Sequence, residues 1–234
     1  MARLPRLILA GQAHHVILRG NNRQAIFVDD DDRRRMLQVL LEVSRLYGVA
    51  LHAFVLMDNH LHMLVTPGEA EALSRMMQAL GRRYVSAFNA RHHRTGTLWE
   101  GRFRAGLVEG ERHVLACLRY IELNPVRAGL VVDPADWPWS SAGHHLGRAR
   151  QSLITEHPLY WALGNTPFER EHGYRELMQQ GLTSAEHQRL TEAVLRGRPV
   201  VSEALQSSLQ QEHARVAVAR PRGRPRKVAE PGTD

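Results

Sequence analysis

His60 and His62, one residue apart, stand about sixty residues before Tyr120 and Asn124. On a strand, side chains two apart point to the same face, so these histidines can present two imidazoles to one ion while Leu61 turns away. Imidazole suits zinc, manganese, nickel or copper, and a third ligand decides among them. Two histidines with one neutral oxygen ligand would leave positions for water and a phosphate oxygen, where magnesium or manganese acts as a Lewis acid. Tyr120 and Asn124 are four apart and therefore share one face of a helix. A tyrosine nucleophile suits a cut end that must be conserved, because the phosphotyrosyl ester keeps the phosphodiester energy for rejoining. Each feature alone has a plainer account: a His-x-His pair is more often a polar strand face, and a tyrosine beside an apolar stripe a boundary core residue. The adjacent pairs His14-His15, His92-His93 and His144-His145 face opposite ways on a strand and read as solvated or capping groups.

The elements that must hold these residues follow from the pattern. Val16-Ile17-Leu18 ahead of Gly20-Asn21-Asn22 predicts a strand over 15–19 and a turn. Asp29 to Asp32 offer N-caps for a helix whose apolar residues Met36, Leu37, Leu40, Leu41 and Val43 recur up to Tyr47, with Gly48 ending it. Residues 49–57 and 60–66 predict a β-hairpin turning at Asp58-Asn59. A helix follows over 70–91, a strand over 102–108, and a helix over 111–123 that Pro125 stops. This β-α-β-β-α-β-α order predicts an α+β fold whose first six elements are the ferredoxin-like split βαβ, an antiparallel sheet with helices on one face. Trp137 to Ser141 predict an irregular segment wrapping back on the core. Short helices are expected over 152–211, including 184–196 and 202–213, and a disordered tail from Arg220. The domain bounds implied are 1–149, 150–219 and 220–234.

The chain has 234 residues, 43% of them hydrophobic, enough for a core and too many for a wholly disordered protein. Its net charge of +7 points towards polyanions, most simply nucleic acid. Cys117 is the only cysteine, which excludes an intramolecular disulfide and a cysteine-cluster zinc site and fits a reducing cytoplasm. The apolar run Leu7 to Ala10 is too short for a secretory signal, and no stretch spans a bilayer.

Arg19, Asn22 and Arg23 flank the first turn, Arg82 and Arg83 lie on the second helix, and Arg102 and Arg104 surround Phe103. Such arginines can pair phosphates while Trp99 and Phe103 stack an unpaired base, or they form a solvated basic face. The tail from Arg220 to Lys227, with Arg222 and Arg224, resembles an AT-hook core that lies in the minor groove of A·T-rich DNA. A shorter echo occurs at Arg196 to Pro199.

Five stretches in order carry a family resemblance: Arg19 to Gln24, Met57 to Leu64, Gly96 to Phe103, Tyr120 to Leu130, and Trp137 to Ser141. They resemble the REP-associated tyrosine transposases, relatives of the IS200/IS605-type single-tyrosine transposases, over residues 10 to 145. The resemblance implies an HUH endonuclease core acting on single-stranded DNA, with a C-terminal helical extension and a basic tail. His60 and His62 become metal ligands for magnesium or manganese, Asn124 an amide ligand, and Tyr120 the nucleophile. It would form a 5′-phosphotyrosyl link and free a 3′-OH at REP-like imperfect hairpins with a tetranucleotide flank, which the turn at Arg19 to Arg23 helps to read. Relatives more often carry proline where this chain has Asp58, a carboxylate that either adds an interaction beside the metal or caps the turn. The resemblance places the protein in the cytoplasm, associated with the nucleoid, as a monomer or homodimer. Two rival readings stand beside it: a non-catalytic repeat-binding regulator, and a plain metal-dependent nuclease in which water attacks. Residues 150–219 would cover the active site or bind the hairpin stem.

Overall fold

The apolar run after Gln12 forms β1 (Ala13–Arg19), and the chain folds back at once. A Cβ on Gly20 would lie 2.2 Å from the Gln24 carbonyl oxygen, so this turn requires glycine. Asp29 then accepts from the Asp31 and Asp32 amides and starts α1 (Asp30–Leu46). A two-residue turn at Asp58 and Asn59 joins β2 (Val49–Met57) to β3 (His60–Pro67). The chain continues through α2 (Ala72–Arg91), β4 (Arg104–Val108), α3 (Glu111–Glu122) and the short α4 (Asn124–Arg127). Then come α5 (Ala142–His145), α6 (Pro158–Trp161), α7 (Pro167–Gln180) and α8 (Ser184–Arg196). A computed structural model describes residues 6–202, 205–207 and 209. The expected helix over 202–213 falls largely outside these residues, and the tail from Arg220 wholly so.

The strands form one antiparallel sheet in the order β2-β3-β1-β4, the ferredoxin-like arrangement expected from the element order. Strand parity separates two cores. Val16, Leu18, Leu61, Met63 and Val65 face α1 and α2 with Met36, Leu40, Leu73 and Leu80. Ala13, Leu64, Val55 and Met57 face α3, where Val114, Leu115, Leu118 and Ile121 supply the apolar stripe. An extra residue at His52 shifts the β2 register, so Leu51 and Phe54 share a face although they are three apart.

Later segments cover both sheet edges. Along β2, Leu56 N–H donates to the Trp139 carbonyl and Ser141 N–H to that of Phe54. Along β4, Val200 N–H donates to Leu107 O. The segment Trp137 to Ser141 thus wraps back on the core. Arg196 to Pro199 has a different job from the tail it echoes: Gly197 at φ 64° ends α8, and Arg198 N–H donates to the Ala193 carbonyl.

The adjacent histidine pairs depart from expectation. His14 and His15 are both buried, because β1 is a central strand covered on both faces. His145 is fully buried against Glu122, and only the pair at His92-His93 stays near solvent.

Candidate active site

Parity on β3 turns His60 and His62 to the α3 face, their ring centroids 5.0 Å apart. His60 Nδ1 donates to Asn59 Oδ1 at 2.7 Å, which leaves Nε2 as a lone pair. His62 Nδ1 lies 2.8 Å from His15 Nε2, with one proton between them. When His62 donates that proton, its Nε2 is also a lone pair, and the His15 proton sits on Nδ1. His15 Nδ1 is buried with no hydrogen-bond partner among the described residues. The sequence reading of His15 as a solvated or capping group misses this contact, for the ring is buried against His62. Its only signal is parity: it stands two before Ile17, the residue that pairs with His62 across the sheet.

Burial holds these rings neutral. It lowers the His60 pKa to about 4, with the Arg19 charge adding to the effect and Asp58 opposing it. It pushes His62 well below the usual value, helped by His15, His60, Arg19 and Arg127. His15 falls to about 3 through burial alone. Two neutral imidazoles on one face suit a divalent cation. Among the described residues no group of three or more His, Cys, Asp or Glu side chains is placed to hold a metal ion.

Asn124 is buried one turn after Tyr120. Pro125 has no N–H for the Ile121 carbonyl, and Asn124 Nδ2 reaches that oxygen at 3.3 Å and the Tyr120 carbonyl at 2.8 Å. Both bonds use the nitrogen, so Oδ1, the atom able to ligate a cation, takes no part in them. Neither bond reaches a histidine.

Tyr120 lies across the histidines, its ring centroid 5.7 Å from His62 and 5.3 Å from His15. The side chain is 4% exposed, because α8 covers it. His187 stacks on the ring at 5.1 Å, and the hydroxyl lies 3.1 Å from Thr191 Oγ1. Thr191 gives its own proton to the His187 carbonyl, so Tyr120 is the donor to Thr191. The Arg127 guanidinium sits 5.4 Å from the ring centre. Thr191 and His187 went unnoticed in the sequence, since nothing local marks a helix some seventy residues away as the cover of a tyrosine; Arg127 lies within the Tyr120 to Leu130 stretch, but no role was assigned to it.

The basic residues divide. Arg19 pairs with His60 in the sheet register, and Asn22 and Arg23 adopt φ of 49° and 59° in the turn beside it. Arg102 and Arg104 are exposed at the same end of the sheet, and Arg104 donates to the Leu195 carbonyl at 2.6 Å. Arg82 and Arg83 stand on the outer side of α2, behind the opposite face, and Arg83 is paired with Glu42 at 3.0 Å. The structure does not bring these two to the histidines. Arg222 and Arg224 lie outside the described residues. Asp58 faces away from the site: Arg33 holds its carboxylate at 2.6 Å, a turn-to-helix tie.

Residues 10–124 match the family model described as transposase, IS200 like. A REP-associated tyrosine transposase of Escherichia coli strain K12 is 23% identical over 130 residues, 55% of this chain and 72% of that protein. The solved structure of a REP-associated tyrosine transposase bound to a REP hairpin superimposes with a TM-score of 0.55 at 20% identity, covering 67% of this chain and 92% of the other. That likeness shows a shared fold. No helix among the described residues is long and apolar enough to cross a membrane.

Proposed function

Residues 10–124 place the chain in the IS200-like transposase family, and from that premise we propose a metal-dependent strand transferase acting on hairpin-bearing, REP-like single-stranded DNA. The observation that carries the reading is the packing of Tyr120 against His62 on the face where His60 also lies. His60 Nε2, His62 Nε2 and Asn124 Oδ1 are the atoms we assign to a divalent cation, magnesium or manganese. Bound there, the cation would polarise the scissile phosphate and offset its charge.

The chain's own groups do the rest. Tyr120 gives up its proton and its oxygen attacks the phosphorus, forming the O–P bond of a 5′-phosphotyrosine. The bond to the 3′ oxygen breaks, and that oxygen takes a proton to leave as a 3′-OH. Attack by a 3′-OH on the same phosphorus reverses the step and returns the tyrosine. Arg19 and Arg127 add positive charge beside the histidines, suited to a phosphate. The turn at Arg19 to Arg23 is placed to contact the flank, and Arg222 and Arg224 would add backbone contacts. Because Thr191 and His187 cover Tyr120, a phosphate reaches it only when α8 moves aside.

A monomer and a homodimer both fit this reading. The domain bounds 1–149, 150–219 and 220–234 and a nucleoid-associated cytoplasmic location remain part of this reading. The experiment is cleavage of stem-loop DNA by His60→Ala and His62→Ala variants with magnesium or manganese. Binding should persist in both while cleavage disappears. Full cleavage in either variant would remove the histidines from the site.

A further inference from the structure

Behind the sheet end that carries His60, a pocket of about 480 Å³ opens between α2 and the loop 99–103. That is within the usual size of a small-ligand site. Its walls combine apolar surface from Met77, Trp99 and Phe103 with the guanidinium-bearing chains of Arg6, Arg75 and Arg102. Arg6 lies 3.8 Å over the Phe103 ring and donates twice to the Phe103 carbonyl, at 3.0 and 2.8 Å. Glu71 also lines the pocket but is held by Arg75 at 2.6 Å, so the balance of charge is positive.

The pocket is wired to the active-site end of the sheet. Trp99 bridges Gly20, Asn21 N–H donates to the Leu98 carbonyl, and Glu100 N–H donates to the Arg19 carbonyl, both at 2.9 Å. Arg19 in turn pairs with His60. On the histidine side of the same loop a small cleft is bounded by Ile17, Arg19 and Arg104, and Gly101 and Arg102 line cleft and pocket alike. A strand whose phosphates follow Arg19 and Arg104 can therefore turn over Gly101 and present its next base to the far side.

We propose that this pocket takes one unpaired nucleobase of the single strand flanking the hairpin, Trp99 stacking it and Arg102 holding the adjoining phosphate. Aromatic surface backed by arginine accepts a base face and an anionic backbone together, which no purely apolar or purely anionic ligand needs. The assignment rests on the strand-transferase reading above and adds a specificity subsite to it.

Stem-loop DNAs from repeats of the encoding genome, with 2-aminopurine or an abasic residue at each flank position in turn, provide the test. Gly81→Leu and Ser74→Leu would fill the pocket; a Cβ on Gly81 meets only Trp99 Nε1, at an ordinary 3.6 Å. Both variants should melt as the parent does. In the parent, one flank position should lose fluorescence on binding, and an abasic residue there should weaken binding about ten-fold, the scale of one stacked base. The filled variants should lose both the quench and the sensitivity to the abasic residue. An unchanged quench in both variants, or no quenched position, overturns the pocket. If Tyr120 adducts still form on the same DNA, the transferase reading survives that failure; if no stem-loop binds, both fall.

Discussion

His15 governs what His62 can offer. The two rings share one proton between His15 Nε2 and His62 Nδ1 at 2.8 Å, and when His62 donates it the other His62 nitrogen is a lone pair. Outer partners of a metal-bound imidazole are typically worth ten- to a hundred-fold in affinity. His15→Leu should therefore weaken Mn²⁺ binding by about that factor in a direct titration followed by electron paramagnetic resonance, with the fold intact. Unaltered Mn²⁺ affinity would show that the contact is only packing. His60 and His62 were legible because spacing of two on a strand fixes their common face. His15 was not, because its partner is a diagonal neighbour across two strands, a relation that depends on the sheet register. Asp58 was ambiguous for a similar reason: only the placement of Arg33, twenty-five residues earlier, decides that the carboxylate serves the turn.

The tyrosine helix is anchored from below by a buried carboxylate. Glu122, two residues past Tyr120, accepts from Ser141 Oγ and, at 2.7 Å each, from His145 Nδ1 and the Tyr174 hydroxyl. Burial, with the Glu122 charge beside it, keeps the Tyr174 phenol protonated and hence a donor. The network joins α3 to α5 and α7, so the C-terminal helices help set the height of Tyr120 over the sheet. Glu122→Ala would strand three buried donors and should cost about 3–5 kcal/mol in urea unfolding, the scale of breaking a buried ionic cluster. Glu122→Gln keeps two polar heads and should cost less. A neutral Glu122→Ala would mean the network contributes nothing to holding α3. The strands and the helices α1, α2 and α3 were readable within a few residues, because caps, turns and Pro125 are local signals. The packing of α7 and α8 onto the tyrosine side was not, since their anchors Tyr174, Leu190 and Ala193 bury against residues far away in sequence.

Across the whole molecule, buried neutral histidines tie stability to pH. Burial lowers His14, His52 and His60 to about 4 and His15 to about 3, each below the unfolded value near 6.5. Between about pH 6.5 and 4 the unfolded chain binds protons that the folded chain does not. Stability is thus full above pH 6.5 and falls as the pH drops through that window. Melting of the metal-free protein should move to lower temperature from pH 7 to pH 5, and a flat profile would contradict the buried, neutral assignment. In the proposed strand-transfer reading, function at this scale depends on α8 yielding Tyr120 to a phosphate supplied by DNA. The most direct test incubates the full chain with labelled stem-loop DNA and magnesium or manganese, then separates products on a denaturing gel. The account predicts a slow-migrating, protease-sensitive species, with a free 3′-OH on the released strand, that disappears in Tyr120→Phe while stem-loop binding persists. Cleavage that leaves free 5′-phosphate ends and no attached protein, or an adduct that survives Tyr120→Phe, would contradict it.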